Sequence, residues 1–497
     1  MTKFKTYYLY FTVFVTGAVV LIIEILGTRI LAPFYGTTIF VWSSLLSVAL
    51  GFLALGYWVG GIWVDRKPSF SNFYGIVFLA ATTLVLAIKL NRVVLVFSDQ
   101  FGLKFGPLIA SVLLFAIPLF LLGMITPFAI RLRTKLIENV GTRSGGIFAI
   151  ATIGSLIGAL LSGFFLIPIL SITNIFYITT LLLVVISVLG LLISGKEQIS
   201  GNRYRCLLLF LIFLAVLSIP LFNIEAHKNS RILFQKQGFY GDIKVVEIGE
   251  SRCLVVNGMT QTCVKIETYD GGLSYIEEIG RILALRPQDK DILLLGLGGG
   301  SIMSFFSEIQ EIDIIEIAPK IIHIAERFFN FHPDLNQRII IDDARSFLRR
   351  TDKKYDLIIA DVFSATTIPL HLSTKEYFEL LKSHLHSEGL VLFNFIGRTG
   401  PEDRYTTSFV RTLRSVFPSV IITSPVPGLQ SMVLHASVDE SYAPRIGEEF
   451  YEVPVADDMG ILLTDNKNPL ELLALPNLEV LRRNLKSSGG FDLFFTN

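Results

Sequence analysis

Charge is scarce in this chain and almost perfectly balanced. Only 17% of its 497 residues are charged, and 43 basic against 42 acidic residues leave a net charge of +1. Soluble domains carry about 25% charged residues, so an ordinary soluble protein is excluded, and without a basic excess nothing suggests a nucleic-acid partner. Cysteine is rarer still. Cys206, Cys253 and Cys263 make neither a disulfide framework nor a metal-ligand spacing, so no metal is expected. We read all three as free buried thiols, a bridge between Cys253 and Cys263 across a hairpin being the alternative. The little charge present is unevenly spread. Up to about Asn223 it sits in short clusters between long apolar runs, and from Glu225 onward the pattern is that of a globular domain.

A membrane span needs roughly 20 apolar residues. The first half offers candidates near Tyr7 to Leu31, Ile39 to Val64, Phe73 to Leu90, Pro107 to Ile130, Ile147 to Leu170, Ile175 to Ile193 and Cys206 to Phe222. The first carries Glu24 inside it and more spans follow, which argues against a cleaved signal peptide. A multi-pass protein of the cell membrane, with the lipid bilayer as partner, is therefore expected. Lys3, Lys5, Arg66, Lys67, Arg131, Arg133, Lys135, Arg143, Lys196, Arg203 and Arg205 fall in loops on one side, with little beyond Arg92 and Lys104 on the other. The richer side is the cytoplasmic one. Seven spans then place the C-terminal half outside, whereas the supply of a substrate made in the cytoplasm would call for a cytoplasmic domain. Gly154, Gly158, Ala151 and Ser162, and on the second span Gly51, Gly56, Gly60 and Gly61, read as helix-packing positions. Glu24 and Arg29 lie about 140° apart around a helix and should not pair. A structural polar knot with other helices is favoured there over a solute path.

The second half opens with strands Gly241 to Ile248, Ser251 to Asn257 and Met259 to Lys265, the last two joined by the tight-turn pair Asn257-Gly258. A helix follows over Tyr275 to Leu285. From Ile292 the chain alternates between strand and helix, with strands at Ile292 to Leu295, Asp313 to Ile317, Arg338 to Ile341, Leu357 to Ala360, Leu390 to Phe395, Val420 to Thr423 and Ser431 to Ala436. That rhythm indicates a doubly wound parallel sheet. The domains expected are thus 1–225, a transmembrane domain of about seven helices; 226–290, a small β element and linking helix; and 291–497, a Rossmann-like adenosyl-binding catalytic domain.

Ligands of such sheets lie beyond the carboxyl ends of the strands, where Gly296, Glu316, Asp343 and Asp361 all fall. Gly296, Gly298 and Gly300 allow the backbone to turn closely around a ligand. Glu316 can accept hydrogen bonds from both hydroxyls of a ribose, as an acid at about this distance does in dinucleotide enzymes. Asp343 can accept from an adenine amino group, with Ala344 beside it. Asp361 either acts on a substrate or caps the next turn.

Leu293-Leu-Leu-Gly-Leu-Gly-Gly-Gly300, Ile315-Glu316-Ile317, Asp342-Asp343-Ala344-Arg345 and Tyr355-Asp-Leu-Ile-Ile-Ala-Asp361 together resemble the spermidine synthase family, the polyamine aminopropyltransferases. The stretches Val362 to Leu372 and Leu463-Thr-Asp-Asn-Lys-Asn-Pro469, with Glu24 to Gly36 in the first half, are similar to the branch fused to a multi-helix membrane domain. The fold this resemblance implies is a multi-span α-helical membrane domain followed by an α/β Rossmann-like, methyltransferase-type domain with a small N-terminal β element. It implies a propylamine transfer from decarboxylated S-adenosylmethionine to an amine such as putrescine, with Asp361 catalytic and Tyr275 and Ser364 on the substrate side. The chain departs from the family pattern in four places. Gly299 stands where the family has an acid that receives the donor's amine, Ser364 where it has a second loop aspartate, Gly241 where it has a glutamine, and Ile276 where it has a histidine or glutamine. Neutral Gly299 also removes a charge that would repel the carboxylate of ordinary S-adenosylmethionine. Two other readings stay open: a methyltransferase using S-adenosylmethionine on a membrane-associated acceptor, and a non-catalytic membrane sensor of a nucleoside or polyamine. A homo-oligomer is compatible with the sequence and not fixed by it.

Overall fold

Long apolar runs become long helices here, an arrangement in which interior backbone N–H and C=O groups pair within their own segment. The computed structural model describes residues 3–36, 38–134, 140–194, 230–238, 241–270, 272–362, 367–398, 400, 402–424, 429–444, 451–455 and 459–487, with 213, 216 and 218. The chain divides into two compact units, 1–224 with 236–242 and 225–235 with 243–497.

The first unit contains α1 (Lys3–Tyr35), α2 (Ile39–Arg66), α3 (Phe70–Ser98), α4 (Gly102–Arg133), α5 (Val140–Leu160, prolonged by a π turn at Leu161–Leu166) and α6 (Ile172–Ser194). The six spans expected up to Ile193 each correspond to one of these helices. Among the described residues, five continuous stretches are long and apolar enough to cross a membrane, the longest being Phe70–Arg133, which a 3-10 turn at Asp99–Phe101 divides. The seventh expected span, Cys206 to Phe222, lies outside the described residues apart from 213, 216 and 218.

Small residues set the helix contacts. Side chains added at Gly154 and Gly158 would collide with the carbonyl oxygens of Phe14 and Ala18, and one at Gly17 with that of Ala151. From Phe14–Gly154 to Ala18–Gly158 the numbers rise together, so α1 and α5 run parallel with their backbones touching, and Ser155 Oγ donates to Gly17 O at 2.9 Å. Gly56 and Gly60 likewise meet Phe120 and Met124 of α4, whereas Gly51 and Gly61 have no neighbour within 4 Å among the described residues. Glu24 is partly exposed and makes no hydrogen bond or ion pair among the described residues.

Next in the chain is a four-stranded sheet in the order β1-β2-β3-β4, with β2, β3 and β4 antiparallel: β1 (Ser230–Gly238), β2 (Gly241–Ile248), β3 (Ser251–Val256) and β4 (Met259–Lys265). Asn257 and Gly258 turn with φ of 50° and 79°, as a two-residue hairpin requires. Contrary to the reading of free thiols, Cys253 and Cys263 form a disulfide. A plain hairpin register would set Cys253 opposite Thr262. A bulge between Leu254 and Val255 shifts the pairing by one residue and brings Cys263 opposite instead.

After α7 (Ser274–Leu285) comes an eight-stranded sheet in the order β12-β10-β11-β9-β8-β5-β6-β7. Its strands are β5 (Asp291–Leu295), β6 (Glu311–Glu316), β7 (Gln337–Ile341), β8 (Tyr355–Ala360), β9 (Leu385–Arg398), β10 (Ser419–Ser424), β11 (Leu429–Ser437) and β12 (Tyr451–Glu452). Strands β5 to β9 are parallel, and the Ile, Leu and Val runs of β5, β6, β8 and β9 are buried on both faces, while β7 at the edge is partly exposed. The expected all-parallel order fails at one edge, where β11 and β10 pair antiparallel. Helices α8 (Pro319–Phe328), α9 (Ala344–Leu348), α10 (Lys375–Ser383), α11 (Arg404–Arg414) and α12 (Leu470–Ser487) complete the unit. Strand β5 pairs with both β6 and β8. The chain therefore reverses its direction of travel across the sheet there, which opens a crevice at the strand tips.

Candidate active site

Four consecutive strand tips present the residues singled out in the sequence: Gly296 after β5, Glu316 ending β6, Asp343 after β7 and Asp361 after β8. Gly296, Gly298 and Gly300 take φ of 89°, 56° and 78°, a region costly for any residue with a Cβ. The loop is held from within. Gly296 N–H donates to Ile315 O at 2.8 Å and Gly300 N–H to Leu297 O at 3.0 Å. Leu297 N–H donates to Glu316 Oε2 at 3.0 Å, and Gly299 N–H to Thr262 Oγ1 at 2.9 Å.

Glu316 is buried, and its other oxygen accepts from Ala318 N–H at 2.8 Å. Burial pushes its carboxyl up, and the nearby Asp361 charge adds to this, while hydrogen bonds from Leu297, Ala318 and Ile317 oppose it. Each carboxylate oxygen has a second lone pair, so the side chain that closes the loop can still accept from a ribose.

Asp361 follows the buried end of β8. Its Oδ2 accepts from Tyr275 Oη at 2.7 Å and its Oδ1 from Asn394 Nδ2 at 2.7 Å. The residue keeps some surface exposure, yet its carboxyl is deeply set. Burial raises it, against the pull of Asn394 and Tyr275. Burial, then the Asp361 charge and hydrogen bond, raise the Tyr275 phenol well above its usual value, so the tyrosine stays a donor. Asn394 was not evident in the sequence. The parallel register sets Ala360 opposite Phe393, which brings the next residue on each strand level. An amide within the apolar run Leu390 to Phe395 was its one signal.

Asp343 belongs to a second cluster. Its Oδ1 caps α9 through Ser346 N–H at 2.8 Å, and its Oδ2 lies 2.9 Å from His371 Nε2. Burial would raise this carboxyl, but the His371 and Ser346 hydrogen bonds outweigh it and hold it below the usual range. Ala344, buried, is the first residue of α9. Arg345 grips Asp465 with two hydrogen bonds, 2.8 and 2.7 Å, and also the carbonyl of His371. Asn468 ties to Leu370 O and Ser373 Oγ. The stretch Leu463 to Pro469 is thus fastened to the segment after the Asp361 loop. Ser364 lies outside the described residues.

Thr262 was likewise missed. A side chain at Gly299 would come within 2.7 Å of Thr262 Cγ2, so an acid at that position requires Thr262 to move. Ile276 is buried in the apolar core.

Residues 273–445 match the family model described as Spermine/spermidine synthase domain. A polyamine aminopropyltransferase of Vibrio vulnificus strain CMCP6 is 33% identical over 279 residues, covering 49% of this chain and 92% of that protein. A probable polyamine aminopropyl transferase of Bifidobacterium longum strain NCC 2705 is 22% identical over 319 residues, 56% of this chain and 70% of that one. Among solved structures, a probable spermidine synthase from Corynebacterium glutamicum aligns with a TM-score of 0.39 and 19% identity, over 44% of this chain and 84% of that one.

Proposed function

Because this chain belongs to the spermidine synthase family of polyamine aminopropyltransferases, we propose that its C-terminal unit transfers a propylamine group from decarboxylated S-adenosylmethionine to a primary amine such as putrescine. The observation that carries this reading is Asp361, held by Tyr275 and Asn394 beside the glycine loop and within electrostatic reach of Glu316. A primary amine has a pKa of about 10 and is protonated at neutral pH, so it must lose a proton before it can attack. A buried carboxylate with a raised pKa takes that proton more readily than an exposed one. The nitrogen then bonds to the methylene beside the sulfonium, the carbon–sulfur bond breaks, and its electron pair leaves on methylthioadenosine. Glu316 would hold the ribose and the loop would position the donor. Asp343, with one oxygen engaged by His371, would contribute at the adenine end with Ala344, while Tyr275 and Ser364 would face the amine.

Purified protein given the decarboxylated donor and putrescine is expected to release methylthioadenosine. Release of S-adenosylhomocysteine from ordinary S-adenosylmethionine would instead establish methyl transfer, the reading that Gly299 and its closure by Thr262 favour. No product from either donor would leave a nucleoside or polyamine sensor.

We further propose that the helical unit lies in a lipid bilayer as a multi-pass domain and that the C-terminal unit faces the non-cytoplasmic side. The Cys253–Cys263 disulfide supports this side against the expectation from donor supply, since such bonds persist in oxidising compartments, and the basic loops agree with it only when Cys206 to Phe222 counts as a seventh span. In intact cells, an impermeant thiol reagent added after gentle reduction is expected to label Cys263, which is partly exposed. Labelling only after lysis would place the unit inside. Whether copies associate is left to sedimentation in detergent.

A further inference from the structure

Asn394 carries a polar atom that the fold leaves unused. The residue lies on β9 and is only 5% exposed. Its Nδ2 donates to Asp361 Oδ1 at 2.7 Å. An ionised carboxylate only accepts, so the nitrogen and not the oxygen must face it. That fixes the amide oxygen on the other side, where it is buried without a hydrogen-bond partner among the described residues. Leaving such an atom unpaired is destabilising, and unpaired buried groups call for a specific explanation.

The missing partner is constrained from three directions. It must bring an N–H or O–H, because Oδ1 only accepts. It must lie near Asp361, because one amide group serves both. Beside a buried carboxylate it is best a cation. An ammonium group meets all three conditions, whereas a water meets the first two only.

We infer that Asn394 Oδ1 is the second acceptor of the amine subsite, taking one N–H of the nucleophilic nitrogen of a primary amine while another N–H faces Asp361. The inference rests on the aminopropyl-transfer reading and adds a binding atom to it. Two fixed acceptors hold the nitrogen at two of its N–H groups, which sets the direction of its attack. In the transfer Asn394 neither gains nor loses a proton. The proton goes to Asp361, the new bond is carbon–nitrogen, and the thioether leaves.

A purely supporting role, in which Nδ2 merely orients Asp361, predicts a different result, and the Asp361→Asn background separates the two. With the carboxylate gone there is no base left to orient, so a further loss of amine affinity on adding Asn394→Leu belongs to Oδ1 itself. Titration of putrescine into the methylthioadenosine complex is expected to show affinity about 10- to 100-fold weaker in the double variant than in Asp361→Asn alone, as for a lost hydrogen bond to a charged group. Methylthioadenosine affinity, unchanged, reports that the fold is intact. Asn394→Ser serves if the leucine variant fails to fold. Equal putrescine affinities in the single and double variants overturn the inference while leaving the transferase reading standing. Absence of methylthioadenosine release by the unsubstituted protein overturns both.

Discussion

Asp361→Asn is expected to lower kcat at least about a hundredfold, the lower end of what a positioned acid or base contributes, and to make the protein more heat-stable at neutral pH. The two effects share a cause. Burial lifts the Asp361 carboxyl above its unfolded value even though Asn394 and Tyr275 pull it down. A group raised in this way adds stability below its unfolded pKa and loses it as pH climbs through the folded one. Keeping this carboxyl buried as pH climbs above its unfolded value therefore costs stability that asparagine does not, and relief is worth about 2–4 °C in Tm per kcal/mol in a domain of this size. The gap between variant and parent should close below the ordinary aspartate range and widen upward, while kcat/KM of the parent rises with pH through the raised value. Melting curves and initial rates across pH measure both. Full activity in the asparagine variant would remove Asp361 from the chemistry.

Gly296→Ala is expected to abolish donor binding and turnover together. The backbone there has φ of 89°, and the added carbon would run into the Asp361 carbonyl oxygen. The conformational cost is about 1–2 kcal/mol, with about 1–3 kcal/mol more for overpacking. The strain falls on the two strand tips that carry the loop and the base. Calorimetric titration with methylthioadenosine should show no measurable binding, whereas Gly400→Ala, where nothing lies within 4 Å, should bind as the parent does. Undiminished affinity in Gly296→Ala would place the donor elsewhere.

The glycine loop, Glu316 and Asp361 were legible because each sits at the end of an apolar run whose length already marks it as a strand. The helices were legible for the same reason. What was not legible depends on pairing. Asn394 gains its meaning from the register of β8 against β9, and Thr262 from a contact between two sheets. The Cys253–Cys263 bond follows from a bulge that no alternation pattern displays. The direction of β10 and β11 is equally silent in hydrophobic periodicity, which records burial and not polarity of the chain. β1 escaped because Ser230 to Gly238 carries Arg231, Gln235, Lys236 and Gln237 among its apolar residues.

Four of the five amides between Gly296 and Gly300 already donate within the protein, to Ile315, Glu316, Thr262 and Leu297. Loops that cradle phosphates work the other way, turning those N–H groups outward at the start of a long helix. Only a five-residue 3-10 segment, Ser301–Phe305, follows here. A diphosphate would therefore meet a surface with its hydrogen-bonding capacity spent, and dinucleotides are turned away by the same bonds that give the loop its shape.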